Sequence, residues 1–118
     1  MRNENDRKIL SAILEILIFW HEGKANAIKR EDLLRLLTSQ PDFPALADPD
    51  RAMRKVIEES GRILTSAKGY YLPADPVNDP IDAINYLRKK NNGVFLHIAR
   101  IKEAYPHAGQ GEQKELPL

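Results

Sequence analysis

The sequence predicts a mainly α-helical fold that carries one small β-hairpin, and three observations lead there. Apolar residues recur at helical spacing in four separate stretches, residues 9–20, 33–37, 53–57 and 84–105. Only one stretch, RILTSAKGYYL at residues 62–72, reads as two short strands about a turn, with Gly69 available for a positive-φ position. The 118 residues, 42% of them hydrophobic, supply one modest core and are too few for two.

The first helix is predicted over residues 6–21, where Ile9, Leu10, Ile13, Leu14, Leu17 and Trp20 share helical spacing and Ile16, Ile18 and Phe19 widen the stripe. A helix apolar on most sides is expected at the centre of the core. Gly23 is placed to cap it, and His21 suits the negative end of the helix dipole. Residues 24–28 are long enough for one short strand. Residues 29–38 form the second helix, with Leu33, Leu34, Leu36 and Leu37 apolar against Arg30, Glu31, Asp32 and Arg35. Three prolines in SQPDFPALADPD bar a regular helix there, and Phe43 and Leu46 are expected to tuck that loop onto the core.

Asp48 or Asp50 caps the third helix, Met53, Val56 and Ile57 form its buried face, and Gly61 ends it. After the hairpin, Pro73, Pro76 and Pro80 mark an extended link. A long final helix is then predicted from Asp79, as cap, and Pro80, at the first helical position, to Pro106. Along it Ile84, Leu87, Asn91, Val94, Ile98, Ile101 and Tyr105 form a heptad seam with one polar member. The seam predicts a homodimer in which Asn91 pairs with its mate. The competing arrangements are a break near residues 91–93, where Gly93 costs about 1 kcal/mol relative to Ala, and a helix folded back on residues 13–20. The organisation expected is thus residues 1–76 as the hairpin-bearing domain, 77–106 as dimerisation helix and 107–118 as a disordered polar tail.

Several function classes are disfavoured outright. Cysteine is absent, so disulfides and thiolate chemistry are excluded. The apolar run at residues 13–20 contains Glu15 and is far shorter than the roughly 20 residues a membrane span needs. It lies too late, behind a charged start, to resemble a secretory signal, so a soluble, cytoplasmic protein is expected. His21, His97 and His107 share no ligand spacing, and no Gly-rich phosphate loop occurs. Neither catalysis nor a metal or cofactor is expected. A net charge of +1 gives no global field, so any case for nucleic acid must come from charge placement.

That placement is local. Between Asp50 and Lys68 five cations, Arg51, Arg54, Lys55, Arg62 and Lys68, face three carboxylates, Asp50, Glu58 and Glu59. Arg51, Arg54 and Lys55 fall opposite the Met53/Ile57 face, where they suit a major groove, and Lys68 at the hairpin turn suits a phosphate. Lys29 and Arg30 at the start of the preceding helix add backbone contacts, and Ser66, beside Thr65, offers a hydroxyl to phosphate. The order helix, short strand, helix, basic helix, hairpin matches a winged helix-turn-helix.

DRAMRKVIEESGRILTSAKGYYLP, residues 50–73, resembles the recognition helix and wing of small winged-helix proteins of bacteriophages and prophages. The shared features are the Asp-Arg start, the Arg-Lys pair ahead of Val56 and Ile57, the following Gly and strand, and the Lys-Gly-Tyr-Tyr-Leu wing. The resemblance spans residues 6–105. It implies a winged helix-turn-helix plus a long C-terminal helix, and double-stranded DNA as partner in transcription regulation or replication initiation. It also implies that Arg51, Arg54 and Lys55 approach DNA and that Lys68 lies on the wing. Two features depart from it: residues 39–49 exceed the usual tight turn, and Ser60 stands where an apolar residue is typical. The alternative is a protein-interaction adaptor on the same scaffold, such as a phage antagonist of a host factor, favoured by Asp48, Asp50, Glu58 and Glu59 and the near-neutral charge.

Overall fold

The computed structural model describes residues 3–90 and 95–107. Among them the chain is mainly helical, with five α-helices and one two-stranded antiparallel sheet. α1 (Glu4–Trp20) begins where the Asn3 side chain accepts a hydrogen bond from the Asp6 N–H at 2.7 Å, satisfying one of the donors a first helical turn leaves open. Its buried stripe is Asp6, Ile9, Ile13 and Leu17. This is narrower than expected, because Ile18, Phe19 and Trp20 remain 56%, 69% and 77% exposed. α1 therefore flanks the core and does not lie at its centre.

The strand expected at residues 24–28 is mostly a 3₁₀ turn (Lys24–Asn26). Only Ile28 reaches the sheet, exchanging backbone hydrogen bonds with Tyr70 at 2.8 and 2.9 Å. α2 (Arg30–Thr38) buries Leu33 and Leu37. Phe43 and Leu46 of the following loop pack on the core as expected. α3 (Pro49–Ser60) is capped by Asp48, whose carboxylate accepts from the Arg51 N–H at 3.1 Å, and Met53, Val56 and Ile57 are its buried face. Gly61 ends it in the left-handed conformation, φ 66°.

β1 (Leu64–Ser66) and β2 (Gly69–Tyr71) set Leu64 opposite Tyr71, Thr65 opposite Tyr70 and Ser66 opposite Gly69. Gly69 has φ 127°, and a Cβ there would fall 2.0 Å from the Ile28 carbonyl oxygen. The turn and the close approach of Ile28 both require glycine.

α4 (Asn78–Lys90) begins one residue before the expected cap. Asp75 does the capping, accepting from the Val77 and Asn78 N–H groups at 2.9 and 3.0 Å. Asp79 returns bonds from the Ala74 and Asp75 N–H groups at 2.9 and 3.1 Å. The bonds to Asp75, that of the Asn78 N–H foremost, hold its carboxyl below the ordinary carboxylate range.

The single long C-terminal helix is not what forms: α5 (Phe95–Ala104) is a separate helix. Ile84, Leu87, Ile98 and Ile101, assigned above to a dimer seam, are buried in the chain's own core with Leu64 and Tyr71 of the hairpin. Tyr105 donates its hydroxyl to the Arg62 carbonyl at 2.9 Å. Asn91 and Val94 lie outside the described residues. Steps of three and four define an apolar face but do not say what covers it, so one pattern serves a dimer seam or two helices folded onto their own hairpin. Glycine at position 61 decides locally for the latter: a Cβ there would lie 2.1 Å from the Arg100 carbonyl oxygen, so α5 passes directly over it. α4 and α5 thus share a core with the hairpin. No helix among the described residues is long and apolar enough to cross a membrane.

Candidate nucleic-acid interface

The pairing of Ile28 with Tyr70 sets the start of α2 beside the hairpin turn, and α4 packs behind β1. Between them lies a groove of about 460 Å³. Lys29, just before α2, Arg30 at its start, Lys68 from the turn and Lys90 from the end of α4 line it, against one carboxylate, Glu31. Its walls carry Thr65 and Tyr70, cross-strand neighbours, and Tyr86 of α4, over whose ring the Lys90 ammonium sits 5.2 Å from the centroid. Among the described residues no carboxylate pairs with Lys29, Lys68 or Lys90.

A smaller cavity of about 150 Å³ shares Thr65, Tyr70, Tyr86 and Lys90 and extends the groove to Arg54 and Glu58 of α3 and His97 of α5. Burial raises the Tyr70 phenol above its ordinary value against the opposing pull of Arg30 and Arg54, so it stays a neutral donor. His97 is buried, and its Nε2 lies 3.2 Å from the Ile63 carbonyl oxygen. Because a carbonyl only accepts, that nitrogen carries the proton. Burial holds the imidazole below its ordinary value, outweighing the Ile63 bond and the Glu58 charge, which act the other way.

The expected DNA-contacting residues divide into three groups. Lys29, Arg30 and Lys68 converge on the groove. Arg54 reaches its far end, but its Nε lies 3.3 Å from Asp50 Oδ2, and the same oxygen takes Arg30 Nη1 at 3.4 Å. Asp50 Oδ1 is buried without a hydrogen-bond partner among the described residues. Arg51 projects outward, exposed and with no described ion pair, while Lys55 turns toward α1, 3.7 Å from Asp6 and 3.9 Å from Glu59. Arg51 and Lys55 line neither part of the groove.

Ser66 lines the groove, yet its hydroxyl is spent within the turn, accepting from the Lys68 N–H at 3.1 Å, and the residue is buried. Thr65, one position earlier, offers the half-buried hydroxyl instead. Tyr70, Tyr86 and Lys90 are additions that sequence reasoning missed. The basic run Arg88-Lys89-Lys90 was the available signal, hidden by assigning that helix to a dimer.

The arrangement suits a polyanion: separated ammonium groups for phosphates, phenol and hydroxyl donors between them, and aromatic faces. Among the described residues no three His, Asp or Glu side chains are grouped as metal ligands. No family model, curated protein or solved structure matches this chain.

Proposed function

We propose that this chain is a winged helix-turn-helix protein of the small phage type that binds double-stranded DNA, in transcription control or replication initiation. The observation that carries the reading is the convergence of Lys29, Arg30, Lys68 and Lys90, from three separated segments, on one groove. The helix order, with Ile28 pairing against the hairpin before α2, supports the winged-helix assignment. In this reading the groove and the turn hold phosphates, while Arg51 and Arg54 on α3 reach base edges.

Four phosphate contacts give a slope of log K against log salt of about −4. Titration of a random duplex over a range of salt measures it. Replacing Lys29 and Lys68 together by Glu is expected to weaken binding about 100-fold and to flatten the slope by about 2. Failure to bind at low salt, or a double variant that binds as the parent does, sinks the reading. The second reading is an interaction adaptor without DNA binding. Neutralisation of Arg54 by Asp50 and of Lys55 by Asp6 and Glu59 favours it, and it predicts no salt-dependent binding.

A further inference from the structure

The basic groove runs into a cavity of different chemistry. The two share Thr65, Tyr70, Tyr86 and Lys90, so a strand lying in the groove meets the mouth of the cavity. Around the groove four cations face one carboxylate, Glu31, whereas in the cavity Lys90 and the Asp50-bound Arg54 face Glu58, and the buried Ile57 and Leu87 supply apolar wall. Phosphate therefore favours the groove, and the cavity suits a neutral, flat group with polar edges.

Size and donors narrow the group. A cavity of about 150 Å³ is the size that takes one six-membered ring, and it is too small for a base pair. Tyr70 and Tyr86 bring aromatic rings to it, and the Thr65 and Tyr70 hydroxyls donate or accept. His97 gives its Nε2 proton to the Ile63 carbonyl, so the polar atom left on its ring, Nδ1, only accepts. A pyrimidine base has this size and carries donors and acceptors on its rim. Taking a paired base out of a duplex costs about as much as stacking on an aromatic face returns, whereas a base already unpaired has no such cost. Resting on the reading that the groove holds a DNA backbone, we infer that the cavity receives one unpaired pyrimidine of the strand whose phosphates lie on Lys29, Arg30 and Lys68. Lys90 stands where groove and cavity meet, its ammonium 5.2 Å from the centre of the Tyr86 ring, in place to hold the phosphate next to that base. A strand is favoured over a free nucleotide because the groove presents more cations than a single phosphate engages.

Fluorescence anisotropy of the full chain with three labelled duplexes tests the inference. They are identical except at one bulge, which holds an unpaired thymidine, an unpaired adenosine or an abasic residue. The abasic duplex has the bulge without the base, so the ratio of thymidine to abasic affinity reads the seating of the base alone. The parent chain is expected to give a ratio of about tenfold. Tyr86→Leu is expected to bring it within about twofold of unity and Tyr86→Phe to keep it, both with the helical circular dichroism of the parent. The adenosine bulge is expected to bind about fivefold more weakly than the thymidine bulge, because two fused rings exceed the cavity. Thymidine monophosphate at about 1 mM is expected to leave the bulged duplex bound. Equal affinity for the thymidine and abasic bulges overturns the inference and leaves the DNA reading standing, whereas no binding to any of the three at low salt is a failure of the DNA reading itself. A ratio unmoved by Tyr86→Leu overturns the placement of the base in this cavity. Adenosine bound as tightly as thymidine overturns the single-ring assignment, and displacement by the monophosphate overturns the strand in favour of a free nucleotide.

Discussion

Two sets of cations in this molecule differ in how they come together. Arg54 and Lys55 are neighbours in sequence on α3, and each has an acidic residue four positions away, Asp50 and Glu59, which pairs with it. Lys29, Lys68 and Lys90 are far apart in sequence and meet at the groove without a described carboxylate partner. The difference is a consequence of helix geometry in a charge-balanced chain: with 18 basic and 17 acidic residues, a basic position inside a helix tends to find an acid one turn away. A helix start, a hairpin turn and a helix end escape that neutralisation. Lys90 has Tyr86, not an acid, one turn before it, and the pairing there is with the ring.

Gly61→Ala should break the comparison most severely, because it unseats α5 while leaving the α3 charges on their helix. The substitution strains a left-handed residue and drives a Cβ into the Arg100 carbonyl, 2.1 Å away. A backbone contact cannot yield by a rotamer change, so the expected loss is about 3 kcal/mol or more. Urea unfolding measures it, and an unchanged midpoint would mean that α5 does not pack over this glycine.

A smaller effect comes from His97, which closes the α3 end of the groove among Arg54, Glu58, Tyr70, Tyr86 and Lys90. Since burial depresses its folded-state pKa, the folded chain binds fewer protons than the unfolded chain once pH falls below the ordinary histidine value, about 6.5. Protons then favour unfolding. Stability should be insensitive to this residue above that pH and fall below it, by at most about 1.4 kcal/mol per pH unit, until the folded-state pKa is reached. His97→Gln should flatten that part of the pH profile. A parent chain with no more acid sensitivity between pH 7 and 5 than the variant would show that the imidazole is not desolvated.

The backbone was legible in the sequence at most places where a local rule acts on neighbouring residues, the exceptions being the 3₁₀ turn at Lys24–Asn26 and the capping of α4 by Asp75 in place of Asp79. Met53, Val56 and Ile57 at helical spacing, Asp48 ahead of Pro49, and Lys68-Gly69 at a turn each specify their structure within a few positions. The larger failures depended on which surface meets which. The apolar spacing from Ile84 to Ile101 is equally good in a dimer or in cis, and the missing Cβ at Gly61 favours the second only through a residue 39 positions away, Arg100. The candidate site was half legible for the same reason. Lys29, Arg30 and Lys68 stood out by type and by proximity to turns, whereas Tyr86 and Lys90 join them only because α4 folds back behind β1.

The sharpest test of the comparison has the smallest expected effect. Asp50→Asn removes one negative charge and releases both Arg30 and Arg54, which share its Oδ2. Glu59→Gln also removes one negative charge, but loosens only Lys55, which keeps Asp6 as a partner on the side of α3 that faces α1. The two variants are identical in net charge and differ only in which cations they free. If position at the groove matters, Asp50→Asn should tighten binding to a random duplex about fivefold at fixed salt, and Glu59→Gln should stay within about twofold of the parent. Fluorescence anisotropy titrations read both. Equal gains would mean that the duplex responds to total charge alone, and the groove would then have no special role.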